Sequence, residues 1–239
     1  MTARLLALLA LASAGAASAA APARVPFVGC PSDGQEGPRP VPGSGAVPRV
    51  PAAAAAQLAY YAISELGVLA PRGWHCFGLE GSNGSTLIVT PEAHGVRDLL
   101  DQPTPLRGPA VQISMSFGGT SGRFEVAKVI ARAFPAQMAF ARRVAAEGIG
   151  DPLPHGPYRS DHMVRLRPTA VGYTTPAGRE GLGTDSRLAP GDRPIQGLAI
   201  LHAAYDVDLI KLDVRLPAVQ ARLATPILNA ALSPRGAKR

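Results

Sequence analysis

The residues with the greatest capacity for chemistry stand where an apolar run meets a glycine turn. Ala110 to Ser116 leads into Phe117-Gly118-Gly119-Thr120-Ser121-Gly122-Arg123. At a strand–turn–helix junction the first backbone N–H groups of the helix attract anions, and glycine lets a ligand approach the backbone. Arg123 adds charge. Gly118, Gly119, Thr120, Ser121, Gly122 and Arg123 are therefore the candidate anion- or ligand-binding residues. The same residues also suffice for a tight turn with Thr120 or Ser121 as the helix cap. The segment has neither the Gly-Lys-Ser/Thr of a Walker A loop nor the spacing G-x-G-x-x-G. Ser121 as a nucleophile is the alternative reading, with His155, His162, Asp161 and Asp185 downstream as triad partners. The glycine after Ser121 comes one place too early for G-x-S-x-G.

A second candidate is Pro176 to Pro194, PAGREGLGTDSRLAPGDRP. A long loop without regular structure is often functional. It carries Glu180, Thr184, Asp185, Ser186 and Arg187, and glycines 178, 181 and 183 could shape a binding lip. A decorated surface loop is the plainer reading. The carboxylates are too sparsely specified for a glycosidase pair, whose mechanism demands a set separation. The histidines (His75, His94, His155, His162, His202) and two cysteines show no metal-ligand spacing, so no metal is expected. No cofactor motif is present.

The compartment governs how Cys30 and Cys76 are read. Residues 1–19 run from Arg4 through the apolar stretch Leu5 to Ala12 to Ala17-Ser18-Ala19, the three regions of a secretory signal peptide. The apolar stretch is shorter than the roughly 20 residues a membrane span needs. An exported, periplasmic or extracellular chain is expected, not an integral membrane protein, with cleavage after Ala19. A lipoprotein acylated at Cys30 is the sharper alternative; Phe27 and the distance from the apolar run fit it poorly. In an oxidising compartment two cysteines most simply form one disulfide, Cys30–Cys76. A catalytic Cys76 with His75 as its base is disfavoured, because neighbours on a strand point to opposite faces.

The net charge is +7, and the basic residues are overwhelmingly arginine, with lysines only at 128, 211 and 238. The arginines are dispersed, as on a solvated basic surface that attracts anions generally. Export directs that surface toward acidic envelope components. Nucleic acid is not expected as a partner, since aromatics make up only 5% and leave few stacking platforms.

The elements that must position these groups follow from composition and period. Residues 20–51 are rich in proline and glycine and should form an extended strap, neither a helix nor a central strand. The alanines from Ala52 predict a helix to about Leu66, stopped by Gly67. Trp74 to Glu80 and Ser85 to Thr90 flank Gly81-Ser82-Asn83-Gly84, a hairpin with Asn-Gly in a type I′ turn; Asn83-Gly84-Ser85 also matches a glycosylation sequon. A strand covers Ala110 to Ser116, and a helix runs from Arg123 to Glu147, kinked or divided at Pro135. Gly148 to Asp161 is a loop. Strands follow within Met163 to Thr174, at Ile195 to His202 and at Asp208 to Leu216. In the last, Leu209, Lys211, Asp213 and Arg215 share one face, which by its charge should meet water. A final helix runs from Pro217 to Leu232, disturbed at Pro226, with residues 233–239 as a frayed basic tail. The fold expected is α+β, a mainly antiparallel sheet with helices packed on it, in the order α-βββ-α-βββ-α, as a single domain over 52–232 with one disulfide.

At VPFVGCPSDGQ (25–35), APRGWHCFG (70–78), GGTSGRFEVA (118–127) and TPAGREGLGT (175–184) the chain resembles a group of exported bacterial proteins to which no activity is assigned. The resemblance covers most of the chain after the signal and implies no site. The function expected is a non-enzymatic binding module for an anionic or cell-envelope ligand. The alternatives are a serine-type hydrolase acting on an envelope substrate and a structural or assembly protein.

Overall fold

A computed structural model describes residues 21–95, 97–101, 104–203 and 206–233. The expected signal segment and all of the basic tail after Ser233 lie outside the described residues. Those described form a mixed α+β structure with a large, mostly antiparallel sheet and a Cys30–Cys76 disulfide, Cα atoms 5.5 Å apart.

The proline-rich strap contributes four short strands, β1 (Ala23–Arg24), β2 (Phe27–Gly29), β3 (Ser32–Gly34) and β4 (Arg49–Val50). They are followed by a one-turn helix α1 (Ala52–Ala55), then β5 (Leu58–Ala62) and β6 (Gly67–Pro71). The helix expected to reach Leu66 therefore ends eleven residues early in favour of strands. The reason is lateral pairing: β5 bonds β2 on one side and β6 on the other. Tyr61 is buried and its hydroxyl donates to the Pro71 carbonyl at 2.8 Å, while Tyr60 is half-buried on the opposite face. Aromatic residues on a pleated, half-buried surface outweigh the helix preference of a few alanines.

The hairpin forms as β7 (His75–Gly81) and β8 (Gly84–Thr90). Gly81 pairs with Gly84, so Ser82 and Asn83 make the connection. No described non-glycine residue has positive φ, which rules out the expected type I′ turn. Gly84 has φ 142° for a different reason: a Cβ there would lie 1.9 Å from the Met115 carbonyl oxygen on the next strand. That strand, β9 (Ala110–Ser116), has the expected bounds. Then come α2 (Arg123–Ala133), a 3-10 turn from Pro135, and α3 (Met138–Ala145), the division expected at that proline.

The last third contains one strand more than expected. Residues 162–175 form a hairpin of β10 (His162–Arg167) and β11 (Ala170–Thr175), turned at Pro168-Thr169. β12 (Ile195–Ala203) and β13 (Val207–Arg215) follow. After a 3-10 segment, α4 (Ala224–Leu232) places Pro226 in its first turn. The helix expected from Pro217 is thus divided just ahead of Pro226, α-helical only from Ala224, where a proline in the first turn lacks only an N–H that would have had no intrahelical partner.

The large sheet has the order β10-β11-β12-β13-β9-β8-β7-β3, antiparallel throughout except for the β3–β7 edge pair. One face packs Leu198, Leu212, Val111 and Leu87 against α4 and the small β2-β5-β6 sheet. The other packs Leu201, Leu209 and Tyr173 against α2 and α3. Consequently β13 is buried on both sides, and its charged face does not meet water. Leu209, Lys211, Asp213 and Arg215 are each at most 2% exposed. Alternation identified the two faces of this strand correctly but could not reveal that α2 and the 176–194 loop cover the charged one.

Candidate functional site

Three places can be built from the residues upward. The first is the glycine junction. Phe117 follows β9, and the turn it opens is closed by its own groups: Thr120 Oγ1 donates to the Phe117 carbonyl and accepts from the Gly122 N–H at 3.3 Å. The Gly118 N–H donates to Asp208 Oδ1 at 3.0 Å, and a Cβ on Gly119 would lie 2.5 Å from Asp206 Oδ2. Arg123 forms a bidentate pair with Glu147, closest at 2.7 Å, and lies over the Phe124 ring. The pairing raises the Arg123 pKa and lowers that of Glu147, the hydrogen bond between them being the main cause. Two carboxylates thus stand at the turn, and a third holds its arginine. Ser121 is exposed, and its hydroxyl has no hydrogen-bond partner among the described residues.

The second is the loop 176–194 over the charged face of β13. Asp161 pins it by accepting from the Thr175 hydroxyl at 2.6 Å and the Leu182 N–H at 2.7 Å. Glycines 181 and 183 serve this packing: a Cβ on either would come within 2.7 Å of Asp161 or Ile195. Beneath the loop, Lys211 donates to the Asp185 carbonyl and lies 3.4 Å from Asp213 Oδ2, while Tyr173 donates to Asp213 Oδ1. Asp185 accepts from Tyr158 at 2.8 Å and lies 3.5 Å from Lys128. Burial pushes Asp213 up to about 6, with the Lys211 charge and the Tyr173 hydrogen bond opposing it. Burial likewise raises Glu125, opposed by Lys211 and Lys128. Arg215 donates to the Gly108, Ala189 and Leu106 carbonyls and ties two loops to the sheet. A cleft of about 430 Å³ opens above, lined by Tyr158, Glu180, Asp185 and Arg187, but Lys211 and Asp213 do not line it. Their charges are used inside the fold.

The third place is a cavity of about 840 Å³ on the opposite face of the sheet. Its walls are Ile113, Ile200 and Ile210 from the sheet, Val68 and Leu69 from β6, and Ile227 and Leu232 from α4. The polar lining is Arg24, Arg49, Arg167, His202, Tyr60, Thr169 and Ser233; no carboxylate is among the lining residues. Arg24 and Arg49 are direct partners across β1–β4, so their side chains leave the same face of that ribbon. Both are exposed, and neither has a hydrogen-bonding or ionic partner among the described residues. Like charges directly opposite destabilise a strand pair unless something neutralises them. Arg167 donates to the Leu232 carbonyl at 3.1 Å and so holds the end of α4 at the rim. Burial raises the Tyr60 pKa. A cavity of this size, mainly apolar with a few convergent polar groups, has the anatomy of a small-molecule site.

Sequence reasoning did not single out Arg24, Arg49, Arg167, Tyr60 or His202. The strap separates Arg24 from Arg49, and no local pattern signals that β1 and β4 pair. Among the described residues no group of three or more histidine, cysteine or acidic side chains could hold a metal ion. No described helix is long and apolar enough to cross a membrane. No family model, curated protein or solved structure matches the chain.

Proposed function

We propose that the chain is a non-enzymatic binding module for an anionic ligand of the cell envelope, working outside the cytoplasm. The observation that carries this reading is the cross-strand pair Arg24–Arg49 at the rim of a cavity whose lining contains a third arginine and no acid. An anion between the two guanidiniums would relieve their repulsion, and guanidinium forks match carboxylate and phosphate oxygens. The disulfide supports an oxidising compartment. The glycine junction, which was the first candidate for anion binding, supports the reading less well, because its amide and its arginine already serve Asp208 and Glu147.

The test is retention of the purified protein on isolated anionic envelope material as sodium chloride rises. Retention at low salt should fall steeply toward physiological ionic strength and beyond, because surface charges are screened over about 10 Å at 0.1 M. The double substitution Arg24→Gln/Arg49→Gln should abolish most of the retention with no loss of folded protein. Retention that ignores both salt and the substitution refutes the reading.

A further inference from the structure

Resting on that reading, we infer that the ligand is a single-chain amphiphile whose alkyl tail fills the cavity between the sheet and α4 while its anionic headgroup sits between Arg24 and Arg49. An anion alone would need only the arginine pair. It would not account for the apolar interior behind it, where isoleucines 113, 200 and 210 from three successive strands face Ile227 on the helix. Ile113 and Ile227 are buried in the core, Ile200 and Ile210 are only partly buried against it, and all four contribute to the cavity lining. Apolar wall and charged rim are on one cavity, so one molecule with both chemistries satisfies both. The tail loses contact with water along its length, and the headgroup stays at the mouth, where the guanidiniums are exposed.

Tyr60 and Gly67 are both part of the lining. A Cβ on Gly67 would lie 2.2 Å from the Tyr60 hydroxyl, so the bare backbone lets the phenol lie flat along the lining.

The experiment is calorimetric titration of the purified chain with hexanoate, octanoate and decanoate, each as a monomer in solution. Decanol and inorganic pyrophosphate are the two controls. Affinity should rise about fourfold per methylene until the cavity is filled. Decanoate should bind at least tenfold more weakly to the Arg24→Gln/Arg49→Gln variant, while decanol binding is unchanged by it. If pyrophosphate binds through the arginines and the alkanoates show no dependence on length, the amphiphile inference is wrong and anion binding stands. Decanol binding as tightly as decanoate, insensitive to the arginines, overturns the anion reading itself. Absence of binding by every probe overturns both. Sedimentation with phosphatidylglycerol vesicles that decanoate does not displace would mean that the arginines meet a membrane surface, and would overturn the cavity assignment. Filling the cavity with Ala231→Leu, checked for native unfolding behaviour, should shorten the longest alkanoate that binds with full affinity; no change counts against the proposed tail position.

Discussion

Asp213 is fully withdrawn from water between Tyr173 and Lys211. Burial lifts its pKa from 3.8 to about 6, so the folded chain holds that proton more tightly than the unfolded chain does. The resulting stabilisation is complete below about pH 4 and is lost as pH rises through 6. Asp213→Asn removes the titration. The expected outcome is a wild-type unfolding midpoint that falls between pH 4 and pH 6 relative to that of the variant. Urea denaturation at a series of pH values checks this; parallel profiles for the two proteins would refute it. Neighbouring Arg215 is equally buried but is spent on three carbonyls, so its charge serves loop attachment. In the sequence Lys211, Asp213 and Arg215 read as a solvated face because isolated charges are rarely buried. They are buried here because each finds a partner.

At the scale of elements, a small sheet stands where a helix was expected. β5 and β6 pair Leu58 with Pro71 through Ala62 with Gly67. Tyr60 lies diagonally across from Gly67 on the same face, and its ring occupies the space a Cβ would take. Gly67→Ala should therefore displace Tyr60 and destabilise the protein by about 1–3 kcal/mol, the usual cost of overpacking. Denaturant unfolding measures it, and a variant within error of the wild type would show that the ring has room to move. The same aromatic-over-glycine pairing recurs at Tyr173 and Gly197, directly opposed on β11 and β12. Elements whose signal is local were legible. The β7–β8 hairpin, β9, the break at Pro135 and the start of α2 at Arg123 come from turn chemistry, alternation and proline sterics. The helix over 52–66 and the type I′ turn were misread because partners distant in sequence decided both: β2 claims β5, and the close passage of β9 claims Gly84.

For the whole molecule, the disulfide is a covalent long-range constraint that joins strap to sheet beside the β3–β7 pairing. Cys30 is fully buried and follows β2, while Cys76 lies on β7, 46 residues away. Closing a loop of that length stabilises by about 4 kcal/mol in the chain-entropy model. The paired substitution Cys30→Ser/Cys76→Ser should lower stability by about 2–4 kcal/mol, read as a drop in the urea midpoint. Because β1, β2 and β4 belong to the strap, it should also loosen the Arg24–Arg49 rim before the large sheet. Hydrogen exchange that shows strap amides as protected as in the wild type would refute this coupling.

Sequence alone determined the mixed α+β class, the cysteine pair and the basic balance, along with strands and helices whose patterns repeat within a few residues. These are matters of composition and short-range sterics, which act before any distant contact forms. Only the tertiary structure decided which charged groups are inside and which arginines meet. It also decided where a cavity opens. Arg24 and Arg49 become neighbours through a two-residue strand pairing, and Lys211 is hidden by a loop that comes earlier in the chain. The glycine junction, chosen from its local pattern, was visible because its residues are consecutive. The arginine-rimmed cavity was not, because its walls come from the strap, the sheet and the last helix, and nothing shorter than the folded chain brings them together.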